Sequence, residues 1–271
     1  MLLGEDPSSA ADLIRSALGL GPDTPIENLT YTLEQAGVKV VATPVELSGR
    51  MAFSTWVGER TSEPLLVVSK VASGDRLRFS LAHELGHLVL HFGRGGARVR
   101  DVEREAGSFA SALLLPAQAM RAELTTPVTL TSLAPLKKRW GVSLQALILR
   151  SRDLGIISLK RSRSLFRQLT ALGYRIHEPD ELAIPVEQPR LFRKMAELTF
   201  GVQIDVRRFA QELCLEPTMM SAILNAHATN AELRSVVASS PASRSKIVEF
   251  NPRRLSKVQR RGSSSGVTPG S

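Results

Sequence analysis

The chain has few of the features that mark secreted, membrane-spanning or single-strand-binding proteins. Its 271 residues include one cysteine, Cys214, so no internal disulfide can form. Aromatic residues make up only 5% of the sequence, which leaves few platforms for stacking bases. The first ten residues lack the pattern of a signal peptide, and no apolar run approaches the roughly 20 residues of a membrane span. These absences predict a soluble, cytoplasmic protein with no membrane partner.

Charge and hydrophobicity point to a folded protein with an excess of basic residues. There are 35 Lys and Arg against 26 Asp and Glu, a formal net charge of +9, which favours nucleic acid or an acidic partner. Hydrophobic residues make up 43% of the chain, enough to bury a core, so disorder over the full length is excluded.

The hydrophobic spacing predicts an α+β region followed by helices. Strands of a small antiparallel sheet are predicted near 38–41, 50–57 and 64–71. Helices are predicted at 7–20, 26–35, 76–91, 101–115, 130–154 (two helices), 164–172, 191–199, 206–213 and 218–226. Gly141 suits a left-handed turn within 130–154, and Ser143 suits the N-cap that follows it.

The same reading divides the chain into four parts. We expect an α+β domain at 1–120, a basic helix-turn-helix-like domain at 121–177, a second helical domain at 178–240 and a disordered basic tail at 241–271.

Two histidines on the predicted helix at 76–91 form a candidate zinc site. His83 and His87 are four residues apart, which places both rings on one helix face, able to converge on one Zn2+. Glu84 lies near enough to take a proton from a water that attacks a carbonyl. The alternative is that both histidines only pack in a buried helix. Burying them unpaired among leucines would be costly, and metal coordination removes that cost.

A catalytic zinc needs a third protein ligand. The next helix offers Glu103 and Glu105, and geometry favours Glu103 because it shares a face with the small residues Ala106, Gly107 and Ala110, which permit close helix approach. Glu105 stays open as the alternative. His91 lies one turn too far along the helix axis to complete the site, so we expect it beside the ligands or exposed at the helix end.

Two blocks of sequence, 78–91 and 103–116, resemble the ImmA/IrrE family of zinc metallo-endopeptidases. The similarity extends over roughly half of the chain, from Ile26 to about Ile157. The resemblance implies a zincin-like fold, zinc as cofactor, His83, His87 and Glu103 as its ligands, and Glu84 as general base. Where the family usually has asparagine, this chain has Gly107.

The resemblance also implies a biological role. Members of the family cleave helix-turn-helix repressors and so switch on stress-response or mobile-element genes. The expected protein partner is therefore such a repressor, cleaved by a zinc-dependent endopeptidase.

The competing hypothesis is a DNA-binding transcriptional regulator whose zinc site is structural or vestigial. Residues 137–167 hold nine Lys or Arg and one acid, a density typical of phosphate contacts. The candidate DNA contacts are Lys137, Lys138, Arg139 and Arg150. The alternative is that this region packs beside the protease and presents a solvated basic face. A second helix-turn-helix-like pattern at 209–224 has no Lys or Arg in its second helix, which favours a structural or partner-binding role.

Overall fold

The computed structural model describes residues 5–45, 47, 50–58, 63–69, 73–92, 98–201 and 204–227. The expected disordered tail at 241–271 lies outside the described residues. From the amino terminus, the elements are α1 (Pro7–Ala17), α2 (Leu29–Gln35), β1 (Lys39–Thr43), β2 (Ala52–Val57), β3 (Glu63–Ser69), α3 (Gly74–Leu90) and α4 (Val99–Leu114). The remaining helices are α5 (Ala117–Glu123), α6 (Leu130–Trp140), α7 (Leu144–Asp153), α8 (Leu159–Ala171), α9 (Leu191–Phe200), α10 (Val206–Glu212) and α11 (Pro217–Ala226).

The α+β fold class is confirmed, because a small sheet is combined with helices before and after it. The three strands form one sheet in the order β1–β3–β2, with helices packed on it. The expectation of an antiparallel sheet is wrong for one pair: β2 runs antiparallel to β3, whereas β1 runs parallel to β3, with Lys39 opposite Leu65. β3 lies between two strands that precede it, so β1 and β2 do not form a hairpin.

Helices α3 and α4 form the centre of the molecule. α4 packs against α3 on one side and α1 on the other, while α3 also contacts β2 and β3. The faces between these elements are apolar and fully buried, with Ile14, Leu66, Leu81, Leu85 and Leu113 at 0% exposure. This arrangement holds α3 rigidly between the sheet and α4.

The helices that follow complete the same core. α6 begins at a capping box between Thr129 and Ser132 and ends at Gly141, whose φ of +64° is left-handed. Ser143 then caps α7 by accepting a hydrogen bond from the Ala146 amide at 3.1 Å. Both expectations for this turn are confirmed. Helix α5 was not predicted: Pro116, interpreted only as the end of α4, is also the N-cap residue of α5.

One hydrophobic cluster runs from Ala10 to Leu169 and therefore includes side chains on both sides of the expected boundary at residue 120. A second, smaller cluster lies in α9, α10 and α11; its buried members are Ala196, Phe209, Ala210, Met220 and Leu224. The division of the chain at 120, 177 and 240 stays a prediction. Among the described residues, no helix has the length and apolarity that crossing a bilayer requires.

A strap of residues, 174–190, connects the two clusters and lies across the start of α3. The Gly74 amide donates to the Ile184 carbonyl at 3.0 Å, and a Cβ at Gly74 would lie 2.0 Å from the Pro185 oxygen. Only glycine fits at this contact. Beside it, the buried Arg78 guanidinium pairs with the Glu187 carboxylate and donates to the Ile26 carbonyl at 2.6 Å.

Candidate metal centre

Helix α3 carries a polar stripe on an otherwise buried helix. His83, His87 and His91 recur every four residues, so their rings follow one another along one face, while Leu81 and Leu85 on the other side are fully buried. The side chains of His83 and His87 remain 22% and 20% exposed. The stripe is therefore reachable from solvent although the helix itself is central to the core.

A close crossing of α3 and α4 brings a carboxylate to this stripe. Gly86 faces α4, where a Cβ would lie 3.2 Å from the Ala106 Cα and 3.1 Å from the Phe109 ring. Small residues at the crossing let the two backbones approach, as the sequence predicted for the face of Ala106 and Ala110. Gly107, in contrast, has no neighbour within 4 Å and takes no part in the crossing.

The side chains of His83, His87 and Glu103 converge on one point. The two Nε2 atoms are 3.1 Å apart, Glu103 Oε2 lies 3.1 Å from His83 Nε2, and Glu103 Oε1 lies 3.5 Å from His87 Nε2. Ligand atoms bound at 2.0–2.1 Å around a tetrahedral zinc are about 3.3–3.4 Å from one another. The observed separations bracket that value, so the three side chains fit a tetrahedral metal ion.

The protonation state of His87 also suits a ligand. Burial, together with the neighbouring His83, lowers the pKa of His87 to about 4, although the Glu103 carboxylate acts in the opposite direction. His87 is therefore neutral at pH 7, the form of imidazole that binds metals.

Glu84 lies beside the cluster and is held by a residue that the sequence did not single out. The Ser54 hydroxyl on β2 donates a 2.6 Å hydrogen bond to Glu84 Oε2. The alternation of β2 places Ser54 on the same face as the buried residues Ala52 and Trp56. A lone hydroxyl on the buried face of a strand was the available signal, but the sequence alone does not show that this face meets α3.

The two glutamates of α4 have different neighbours. Glu103 faces His83 and His87, whereas Glu105 Oε2 lies 3.0 Å from His91 Nε2. Of the two alternatives left open by helix geometry, the structure brings Glu103 to the paired histidines. His91, expected either beside the ligands or exposed, lies beside them and is only 8% exposed.

The prediction is wrong for two of the four candidate DNA contacts, because their side chains are buried inside the protein. Lys137 is 1% exposed and its Nζ lies 2.6 Å from Asp75 Oδ2 and 2.9 Å from Glu178 Oε2. Arg150 is 6% exposed, and its Nε donates to the Leu115 carbonyl at 2.8 Å. Neither side chain is available to a phosphate.

Lys138 and Arg139 are exposed, as a basic surface requires. Arg139 is already paired with Glu123 at 3.2 Å.

Arg150 instead helps to fix α4. With Arg15, whose Nη1 donates to the Leu113 carbonyl at 2.7 Å, it supplies donors to the carbonyl end of α4. Cations at a helix carboxyl end are favoured by the helix dipole. The two arginines therefore position the helix whose other end carries Glu103.

Comparison with known proteins agrees with this geometry. Residues 33–152 match the family model Peptidase_M78, described as an IrrE N-terminal-like domain. No curated protein matches the chain. The matched segment contains α3, α4 and all the residues that converge near His83. Residues 33–152 are therefore a metallopeptidase-like domain of the IrrE N-terminal-like (Peptidase_M78) type, which fits a zincin-like α+β fold and is consistent with an ImmA/IrrE family member.

Proposed function

We propose that this protein is a zinc-dependent endopeptidase that cleaves a protein substrate, a helix-turn-helix transcriptional repressor, in a stress or mobile-element response. The observation that carries the proposal is the convergence of His83, His87 and Glu103 at separations suited to zinc, with Glu84 at its side. The family match supports a metallopeptidase-like domain. The repressor substrate rests on the resemblance of the motif blocks.

The residues present fit the roles of peptide hydrolysis. His83, His87 and Glu103 would hold a zinc ion, which would supply Lewis acidity toward the scissile carbonyl. Glu84 accepts a proton from the attacking water and delivers it to the leaving amine. The Ser54 hydroxyl donates to one carboxylate oxygen of Glu84, Oε2, and so orients the carboxylate. The partial exposure of the two histidines leaves the cluster open to a peptide.

Substitution of Glu84 tests the activity. We expect Glu84→Gln to lower cleavage of a candidate repressor by about 100-fold or more, because the amide cannot accept the proton. The assay uses purified, zinc-loaded protein and gel analysis of repressors encoded near its gene, with Glu212→Gln on α10 as the matched control. Cleavage by Glu84→Gln at the wild-type rate, or intact repressors under wild-type protein, contradicts the proposal.

Metal analysis tests the ligand set. We expect Glu103→Ala to bind less than one zinc ion per protein molecule. Glu105→Ala is expected to retain one zinc ion when both variants are measured at micromolar protein concentration. Loss of zinc only in Glu105→Ala overturns the assignment of Glu103.

A second function, DNA binding, is favoured by one surface of α8. Lys160, Arg163 and Arg167 are all exposed and, at spacings of three and four, lie on one helix face. Replacing all three with Gln is expected to weaken DNA binding and reduce the slope of log affinity against log salt by about 3. Gel shifts across salt concentrations measure this, with Lys138→Gln as a single-charge control. Binding that is unchanged by the triple substitution removes this function.

A further inference from the structure

A line of hydrogen-bonding groups leads away from the metal ligands. His87 Nδ1 lies 3.1 Å from His91 Nδ1, and His91 Nε2 lies 3.0 Å from Glu105 Oε2. The line runs from the ring atom of His87 that faces away from His83 to a carboxylate on α4.

With His91 neutral, the hydrogen-bonding chemistry of each group determines where the protons lie. A carboxylate only accepts, so the Nε2–H of His91 donates to Glu105. A neutral His91 then has a lone pair on Nδ1, which accepts from the Nδ1–H of His87. His87 is left with its lone pair on Nε2, the atom that lies 3.1 Å from His83 Nε2. The hydrogen bonds thus select the His87 tautomer that can bind a metal through Nε2.

We propose that His91 and Glu105 are positioning residues that fix the tautomer and ring orientation of His87 for metal binding. This role rests on the proposed function, since it concerns the same metal centre. Histidine ligands commonly donate their second ring nitrogen to a carboxylate or another acceptor, which raises their basicity and holds the ring. Here a second histidine, His91, lies between His87 and Glu105 and relays that contact.

The placement of the pair supports a built site. The side chain of His91 is 8% exposed and that of Glu105 is 27% exposed, against 56% for Glu103. His91 occupies the C-cap of α3, where its amide donates to the His87 carbonyl at 3.0 Å. One helix, α4, therefore supplies a carboxylate to each end of the histidine stripe. The adjacent glutamates Glu103 and Glu105, which looked like competitors for one role, take two complementary roles.

Zinc affinity tests the proposal without relying on catalysis. Competition with a chromophoric chelator is measured for the wild type, His91→Phe and Glu105→Gln. His91→Phe keeps a ring of similar size without nitrogen, and Glu105→Gln keeps the shape without charge. We expect each variant to bind zinc about 10- to 100-fold more weakly. Glu212→Gln is the matched control, and circular dichroism establishes that each variant is folded.

The tautomer itself is the second readout. Nitrogen-15 NMR of the metal-free protein near pH 7 is expected to show His87 protonated on Nδ1 in the wild type and a mixture of tautomers in His91→Phe. This measurement is independent of activity and of metal loading. It also separates a tautomeric role from a general loss of packing, which would leave the tautomer unchanged.

The outcomes distinguish this proposal from the one on which it rests. If the wild type binds no zinc, both are overturned. If the wild type binds zinc and Glu103→Ala loses it, but both positioning variants bind as tightly as the wild type, only the role of His91 and Glu105 is overturned. A wild-type His87 protonated on Nε2 in the metal-free protein overturns that role as well.

Discussion

The two hydrophobic clusters differ in how they are held. The large cluster joins the sheet and helices from α1 to α8 around fully buried apolar side chains. The small cluster of α9, α10 and α11 has five buried members, and polar contacts attach it to the rest: backbone amides bonded to Glu34, and His227 Nε2 accepting from the Ala42 amide at 3.1 Å. The large cluster can hold the side chains of the candidate metal centre at fixed distances, whereas the small cluster is attached to the large one by these polar contacts.

The largest expected effect is the loss of stability on removing Lys137, the buried cation beside the large cluster. Lys137→Ala leaves the carboxylates of Asp75 and Glu178 buried without their cation and is expected to cost about 3–5 kcal/mol. Although burial raises it, hydrogen bonds from Lys137 and Ser73 bring the pKa of Asp75 below its usual value, so this carboxyl is charged at neutral pH. Lys138→Ala, the exposed neighbour, is expected to change stability by less than about 0.5 kcal/mol. Urea unfolding measures both, and equal effects contradict the burial of Lys137.

The next test places the same substitution in each cluster. Met120 and Met220 are both fully buried, one in each cluster, and truncation to Ala costs about 2–5 kcal/mol at such sites. We expect Met220→Ala to speed amide exchange only in α9–α11 and to leave zinc affinity within about twofold, because the metal ligands lie in the other cluster. Met120→Ala is expected to lower the global unfolding free energy. If Met220→Ala instead weakens or abolishes zinc binding, the two clusters behave as one cooperative unit, which contradicts the expectation.

A third test compares two glycines near the metal centre. Gly86→Ala adds a methyl at the α3–α4 crossing and is expected to cost about 1–3 kcal/mol and weaken zinc binding, because α4 and Glu103 must move away. Gly107→Ala, in open space, is expected to stabilise α4 by up to about 1 kcal/mol. Thermal unfolding and chelator competition measure the two effects. A stabilised Gly86→Ala variant contradicts the close crossing.

The smallest expected effect concerns the attachment of the small cluster. Burial raises the pKa of Glu34 to about 6, although the amides of Leu191 and Arg190 act in the opposite direction. Folding therefore favours the protonated form of Glu34. The contribution of this carboxyl to the free energy of unfolding is fully present below its pKa in the unfolded chain and is lost as pH rises through about 6. We expect the unfolding free energy of the wild type, relative to Glu34→Gln, to fall by up to about 2 kcal/mol between pH 4.5 and 7. Urea unfolding of both proteins across this pH range measures the effect. A difference in unfolding free energy between wild type and Glu34→Gln that does not change with pH contradicts the raised pKa of Glu34.

The convergence of His83, His87 and Glu103 was largely predictable because it depends on local spacing. Two histidines four apart share a face on any helix, and the small residues after Glu103 indicated a close crossing. The direction of β1 was not predictable, because alternation identifies the faces of a strand but not its partner. Ser54 was missed for a similar reason, since its role comes from a contact between a strand and a helix 30 residues away.

The misassignment of Lys137 shows a limit of counting charges. Leu133, Lys137 and Trp140 recur at helical spacing and are all buried, so Lys137 lies on the apolar face of α6. That spacing was visible in the sequence. Its partners, Asp75 and Glu178, are distant in the sequence on either side, and nothing local identifies them as the groups that neutralise a buried lysine.

The strap, residues 174–190, also spans a fixed distance along α2. At one end of α2, the Leu29 and Thr30 amides donate to Glu187 at 3.1 and 2.7 Å; at the other end, Glu34 accepts from the Arg190 and Leu191 amides at 2.9 and 2.8 Å. The stretch from 187 to 190 therefore spans a fixed piece of helix, about 7 Å at 1.5 Å per residue. One residue inserted there breaks the match at one end or the other, whereas an insertion after Gly201 leaves both intact. The match therefore constrains the number of residues between Glu187 and Arg190 as well as the carboxylate of Glu187 itself.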